Sequence, residues 1–383
     1  MAAALAVVVG ACGEDPTPTP APTPTSPPAA AAPTPTSPPA APTPTPPPAA
    51  TPTPDPLVAI MEAARAEGEV EVWINWSEET VNALQDKWQE DFGWPIKITS
   101  VPKSASAATA EVIAATEAGQ EVGDLGQPST GLLLQLIEAD AVEARDWVGL
   151  YGGRFPGVEE ASNVYFDELA GYGLHFWDVL YEFTYNTNLL SEAEVPKTWE
   201  ELTDPKWKGN IAIDARGYPF NFMLHSPDWD EASIRDLVER LAANEPVLPG
   251  RSRGDEVIAG EVAIQVGGCN RDDIARGAPI DCIYPDYTLF NPLIATPFKN
   301  AKHPNLSPLF AAWIVTDGFP TYASIQFNGR LSNPDSIEAQ ELARQSADRD
   351  ITVVEQSDFA VVAEDEALRR SIGEFWTQTG GGG

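Results

Sequence analysis

A chain of 383 residues is long enough for two domains with separate cores. Its 23 basic side chains face 57 acidic ones, a formal charge of −34. That balance excludes nucleic acid as a partner, because phosphate binding needs clustered positive charge, and it disfavours peripheral binding to anionic lipid. Two origins fit so acidic a surface: a saline habitat, where charge keeps a protein soluble, or an ordinary extracytoplasmic setting.

The N-terminal stretch reads as a targeting and tethering region. Ala2 to Ala11 is apolar and too short to span a bilayer, which fits the hydrophobic part of a signal peptide over residues 1–11. The basic segment that precedes such a stretch is missing, so the true start stays open. Val9-Gly10-Ala11-Cys12 resembles a bacterial lipobox, which implies lipidation of Cys12. Acyl chains there would anchor the protein, at about 0.8 kcal/mol per buried CH₂. Residues 12–56 then form the tether. From Pro16 to Pro56 the chain is almost entirely Pro, Thr, Ala and Ser, with too little apolar surface to fold. Polyproline II geometry makes it a stalk reaching on the order of 100 Å.

The folded body begins at Asp55-Pro56, a good N-cap followed by proline, and a helix is expected over 57–67 with Gly68 as its stop. Residues 69–75 alternate as a strand with Val70, Val72 and Ile74 on one face. Ser77 can cap a helix whose stripe is Val81, Leu84 and Trp88. A strand over 95–101, a helix over 106–119 and a strand–turn–helix over 122–143 follow. Strand and helix alternate here, which argues for an α/β sheet covered on both faces. Residues 171–190 form a long aromatic run of strand character. Thr198 and Glu201 have the spacing of a capping box. Beyond it come a turn at 204–209, a strand at 210–214, a helix over 230–243 and a helix then a strand over 254–268. The last segments are a strand, loop and helix over 291–317, a strand over 350–356 and a helix over 365–376. The glycine tail 380–383 is expected to be flexible.

Several of these segments carry a family resemblance. Tyr185-Asn186-Thr187, Pro196, Trp199 and the run Asp204 to Gly209 ("DPKWKG") resemble the family 1 extracellular solute-binding proteins of ABC importers, the ferric-iron-binding-like group. "GEVEVWINWSEETVNAL" and "NAKHPNLSPLFAAWIVTDG" resemble the family's first strand–helix unit and its late helix. Together these cover residues 69–380. The resemblance implies a two-lobed α/β fold of the type II-like periplasmic-binding-protein kind. Each lobe is a sheet flanked by helices, the ligand sits between lobes, and closure presents it to a permease and ATPase. The expected lobes are 57–182 with 291–335 and 183–290 with 336–379. The chain is expected to cross between them near Val179–Asn186 and to return near Tyr284–Leu293.

Ligands of open α/β sheets bind beyond the carboxyl ends of strands, so the loops there supply candidates. After the first strand these are Asn75, Trp76 and Ser77, at a helix N-terminus suited to a polar or anionic group. In "GQPSTG" they are Ser129 and Thr130. In "DARGYPFNF" Arg216 can pair a carboxylate or phosphate and Tyr218 can stack or hydrogen-bond. In "GGCNRDD" they are Asn270 and Arg271. Tyr284 and Tyr287 lie near the return crossing. Each has a plainer alternative: capping for the hydroxyls, packing for the aromatics, a surface position for Arg216. Cys269 and Cys282 are either a disulfide, worth about 3 kcal/mol through loop closure, or two buried thiols.

Ferric-binding relatives carry two adjacent tyrosines, whose phenolates are hard ligands, and this chain has no Tyr-Tyr pair. That puts ferric iron in doubt, and with Arg216 and Arg271 expected in the same cleft a small anion is the favoured solute, with no cofactor. The alternative is iron or an iron chelate on Asp272, Asp273, Tyr284 and Tyr287. No G-x-S-x-G, H-E-x-x-H or P-loop occurs, and His175, His225 and His303 are far apart in sequence. An enzyme is not expected, a carboxylate-dependent hydrolase being the remaining catalytic alternative. A sensory protein delivering its signal to a receptor is the other alternative. The protein is expected to act as a monomer, outside the cytoplasm, on the outer face of the cell membrane.

Overall fold

The computed structural model describes residues 55–249, 254–356 and 358–379. The expected signal segment, Cys12, nearly all of the proline-rich tether and the glycine tail lie outside them. Among the described residues no helix is long and apolar enough to cross a membrane.

Nine strands organise the body: β1 (Glu69–Val72), β2 (Lys97–Ser100), β3 (Leu125–Gly126), β4 (Leu174–Asn186), β5 (Ile211–Ile213), β6 (Ile264–Gly267), β7 (Ile280–Ile283), β8 (Tyr287–Pro297) and β9 (Thr352–Val354). Their order is β2-β1-β3-β8-β4-β6-β5, with β7 also on β4 and β9 on β8. The path has two halves joined by the long strands. Leu174 to Tyr181 of β4 pairs antiparallel with Ala295 to Leu289 of β8. From Glu182 onward β4 pairs instead with β6 and β7. Each long strand thus serves a sheet at either end, and the run 171–190 that reads as one strand is the crossing element.

Local chemistry explains the ends of the first helices. Asp55 Oδ1 accepts from Leu57 N–H at 3.0 Å to open Pro56–Glu67, and Gly68 closes it at φ 66°. Ser77 Oγ accepts from Thr80 N–H at 3.2 Å to open Glu78–Phe92. Ser104 does the same for Ala107 and opens Ala105–Glu117. In β1, Val70 and Val72 are fully buried while Glu69 and Glu71 alternate outward.

Each half has its own core. The first packs Leu84, Trp88, Phe310 and Trp313 on one face of its sheet, with Trp88 edge-on to Trp313 at 5.1 Å. Val112, Leu133, Leu136 and Phe298 cover the other face. The second half gathers Phe183, Trp199, Phe220 and Trp376 on one face and Ala212, Val257, Val262 and Ile280 on the other. Truncating a side chain as buried as Trp88 should cost about 3–5 kcal/mol.

Some expectations change. Thr198 Oγ1 accepts from Glu201 N–H, but the Glu201 carboxylate reaches Lys197 N–H at 2.5 Å, so a short 3₁₀ turn, Glu201–Thr203, replaces the expected capping box. The final helix runs Phe359–Thr379, longer than the apolar stripe at 365–376 implied. The strand at 69–75 stops at Val72, and Ile74 to Trp76 turn out of the sheet. β7 and the helices Phe319–Gln326 and Ile337–Ser346 were not expected. The segment between those two helices runs beside β4: Asp178 N–H donates to Gly329 O at 2.9 Å and Leu331 N–H to Asp178 Oδ2 at 2.7 Å.

Candidate functional site

A cavity of about 390 Å³ opens where the two halves of the sheet meet. The first half lines it with Asn75, Trp76, Lys103, Ser104, Ser106 and Ser129. The long strands add Trp177, Tyr181, Glu182 and Asn291. The second half contributes Asp214, Arg216, Tyr218, Asn270 and Arg271, and the late helix adds Glu338. Strand ends build most of this wall, as the carboxyl-end rule requires.

Seven of the residues expected from the sequence come together here: Asn75, Trp76, Ser129, Arg216, Tyr218, Asn270 and Arg271. Ser129 is the N-cap of Thr130–Glu138 yet makes no side-chain cap bond, so its hydroxyl remains for other use. Trp76 is held by packing on Phe176, Phe310 and Tyr322.

Four others fall outside the wall, each for a visible reason. The Ser77 hydroxyl is engaged with Thr80. Thr130 Oγ1 is buried and donates to Gln356. Tyr284 is fully buried, its oxygen accepting from Arg271 Nη2 at 2.9 Å. Tyr287 donates to Asp228 Oδ2 at 2.9 Å. The alternative iron ligands are not gathered either, since Asp272 alone of the four lines the cavity. Burial moreover pushes the Tyr284 phenol far up, against a phenolate. Cys269 and Cys282 form a disulfide with Cα atoms 5.9 Å apart, which ties the loop after β6 to β7. Their sulfurs lie close to the Glu182 carboxylate, the one His/Cys/Asp/Glu cluster of metal-ligating spacing among the described residues. With the sulfurs bonded to each other no thiolate is available there.

Lys103, Ser104, Ser106, Tyr181, Glu182, Asn291 and Glu338 were missed. Lys103 and Ser104 follow β2, so the carboxyl-end rule should have included them. Glu182 had its own signal, a charge inside the apolar run Leu174–Asn186.

The charges of the wall are mostly paired. Arg216 grips Asp214 through Nε at 3.0 Å and Nη2 at 2.5 Å, leaving Nη1. Arg271 Nη2 contacts Glu182 Oε1 at 2.6 Å, and Glu182 Oε2 accepts from Cys269 N–H at 2.9 Å. Burial opposes the Arg271 charge, but Glu182 outweighs it and the guanidinium becomes more basic still. Lys103 pairs with Glu111 and lies 3.6 Å over the Trp73 ring. Glu338 differs: burial, with help from Glu182, pushes its carboxyl up to about 7 against the pull of backbone N–H groups and Arg271.

The sequence profile of the bacterial extracellular solute-binding proteins matches residues 83–318, more than half of the chain. The chain belongs to that family. Solved structures agree on the fold. The substrate-binding protein of an ABC transporter from Agrobacterium tumefaciens is 16% identical, with a TM-score of 0.65 over 82% of this chain and 96% of that one. Iron-bound HitA from Pseudomonas aeruginosa is 15% identical, with a TM-score of 0.61 over 80% and 99%. AfuA from Actinobacillus pleuropneumoniae, with fructose-6-phosphate bound, is 15% identical, with a TM-score of 0.59 over 82% and 98%. No curated protein matches the sequence. The fold is the two-lobed periplasmic-binding-protein fold, and the cavity lies between its lobes. The family and these neighbours are transport-associated binding proteins. Membership implies a small-molecule ligand, an ABC permease and ATPase as partners, and an extracytoplasmic location.

Proposed function

We propose that this protein captures a small solute bearing an anionic group in the inter-lobe cleft and delivers it to an ABC permease. The observation that carries the reading is the convergence of the start of helix Ala105–Glu117 and Arg216 on one cavity. The first N–H groups of a helix have no acceptor within it and favour negative charge. Arg216 Nη1 adds a cationic donor, and Ser129 a free hydroxyl. A neighbour holding fructose-6-phosphate supports an anionic solute for this fold. Lobes at 57–182 with 291–335 and at 183–290 with 336–379 place the long strands between them as hinges. The capture domain acts as a monomer, held to the outer face of the membrane by lipidated Cys12 and the proline-rich tether.

The test is a thermal-shift screen of carboxylates, phosphates, sugar phosphates, ferric chelates and polyamines. A ligand at 100 times its Kd should stabilise the fold by about 2.7 kcal/mol. Shifts confined to ferric iron or polyamines would contradict the anionic assignment, and turnover of any ligand would contradict a pure binding role. For the anchor, mass spectrometry of the wild type against Cys12→Ala decides, an unlipidated wild type being the contrary result.

A further inference from the structure

The cleft wall has hydrogen-bonding capacity that its own residues leave unused. Glu338 is only 6% exposed and Asn291 only 5%, and both line the cavity. Glu338 Oε2 and Asn291 Oδ1 are buried without a hydrogen-bond partner. The Asn291 amide also lies near the Tyr181 phenol, whose rise in pKa by burial it opposes. A buried acceptor left unmade costs free energy comparable to a lost hydrogen bond, and more when it carries charge. Two such acceptors in one binding wall point to donors that arrive with the ligand.

The charge balance agrees. Lys103, Arg216 and Arg271 each have a carboxylate partner, Glu111, Asp214 and Glu182 in turn. Glu338 has no ion pair among the described residues, although Arg271 acts on it from a distance. The same wall also holds two buried donors without a partner, Trp76 Nε1 and Arg271 Nε, so it offers unmet acceptors at Glu338 and Asn291 and unmet donors at Trp76 and Arg271, besides the end formed by Arg216 and the start of helix Ala105–Glu117.

We infer that the ligand is two-ended, carrying an amine or comparable N–H donor group for Glu338 and Asn291 as well as an acidic group for Arg216 and the start of helix Ala105–Glu117. This deepens the anionic reading above and rests on it. The ligand class is that of amino acids and related zwitterions. The ammonium supplies three donors. In the closed cleft it compensates the buried Glu338 carboxylate, so the amine adds affinity that a plain acid of the same length lacks.

The test is calorimetric titration of the full chain with matched series: straight-chain amino acids of graded length, the same acids without the amine, and the same amines without the acid. The expected result is that an amino acid binds at least ~10-fold more tightly than either of its truncated counterparts. In Glu338→Gln and in Asn291→Leu that preference should shrink towards unity. Acids binding as tightly as amino acids would overturn this inference and leave the anionic reading standing. Amines binding as tightly as amino acids would overturn the anionic reading, and the two-ended ligand with it. Silence from all three series would overturn this inference and leave the anionic reading to the phosphates and sugar phosphates of the thermal-shift screen. Should a variant fail to fold, the wild-type comparison decides alone. A variant that folds but weakens acids and amino acids equally assigns its residue a structural role and overturns its part in amine recognition.

Discussion

Two arginine–carboxylate pairs face the same cleft, and they do different things. The Arg271–Glu182 pair is deep, with side chains 10% and 3% exposed, and it is braced by the Cys269 amide and the Tyr284 oxygen. The Arg216–Asp214 pair sits at the edge, its arginine 33% exposed, with one nitrogen not committed to the aspartate. Burial decides which is architecture and which is available to a solute. A deep charge cannot lose its partner without heavy desolvation cost, whereas an edge charge can exchange one partner for another.

The largest effect should come from breaking the deep pair. Arg271→Ala strands the Glu182 carboxylate and should cost about 3–5 kcal/mol in denaturant unfolding. A loss no larger than that of Arg216→Ala would mean that the two pairs are equivalent. Next comes the bond beside that pair. Cys282→Ser opens the loop between Cys269 and Cys282 and should cost about 3 kcal/mol by the chain-entropy relation, read from the same unfolding curves.

A comparable effect belongs to pH. The Glu338 carboxyl titrates near 7 in the folded protein against an ordinary value of 4.5. The folded state therefore holds a proton that the unfolded state has lost. Its contribution is fully present below pH 4.5 and is lost as pH rises towards and through 7, by roughly 3 kcal/mol in all. Glu338→Gln should flatten that slope, and an unchanged slope would place the titration elsewhere. The smallest stability effect is expected at the edge pair. Arg216→Ala leaves the buried Asp214 carboxylate, 7% exposed, with only the backbone N–H of position 216, so it should cost about 1–3 kcal/mol in unfolding, and it should weaken binding of an anionic solute at least ~10-fold. The opposite split would reverse the assignment of the two arginines.

Much of the fold was legible because it rests on local rules. Caps at Asp55 and Ser77, alternation at Val70 and Val72, and the Leu84–Trp88 stripe all appear as read. The family-like block around "DPKWKG" proves to be architecture rather than binding surface. Asp204 caps the following turn through Lys206 N–H, while the Trp199 and Trp207 indoles donate to Tyr287 O and Glu201 O. The site was legible where a strand end announced it, as at Asn75, Ser129 and Arg216. It was not legible where tertiary packing reassigned a side chain. Glu338 lies in the first turn of Ile337–Ser346, a helix that was not expected, and only the packing of that helix beside β4 and Tyr284 buries it. Ser77 and Thr130 fail in the reverse sense: the Ser77 hydroxyl goes to the cap that was its plainer alternative, with Thr80, and the Thr130 hydroxyl to Gln356, a partner distant in sequence.

The central claim is that the cleft binds a small anionic solute, and titration of wild type and Arg216→Ala with the best hit from the thermal-shift screen tests it most directly. The account predicts saturable binding to the wild type without turnover, weakened at least ~10-fold in the variant, which still folds without ligand at a moderately lower melting temperature. Equal affinity in the two proteins would contradict it.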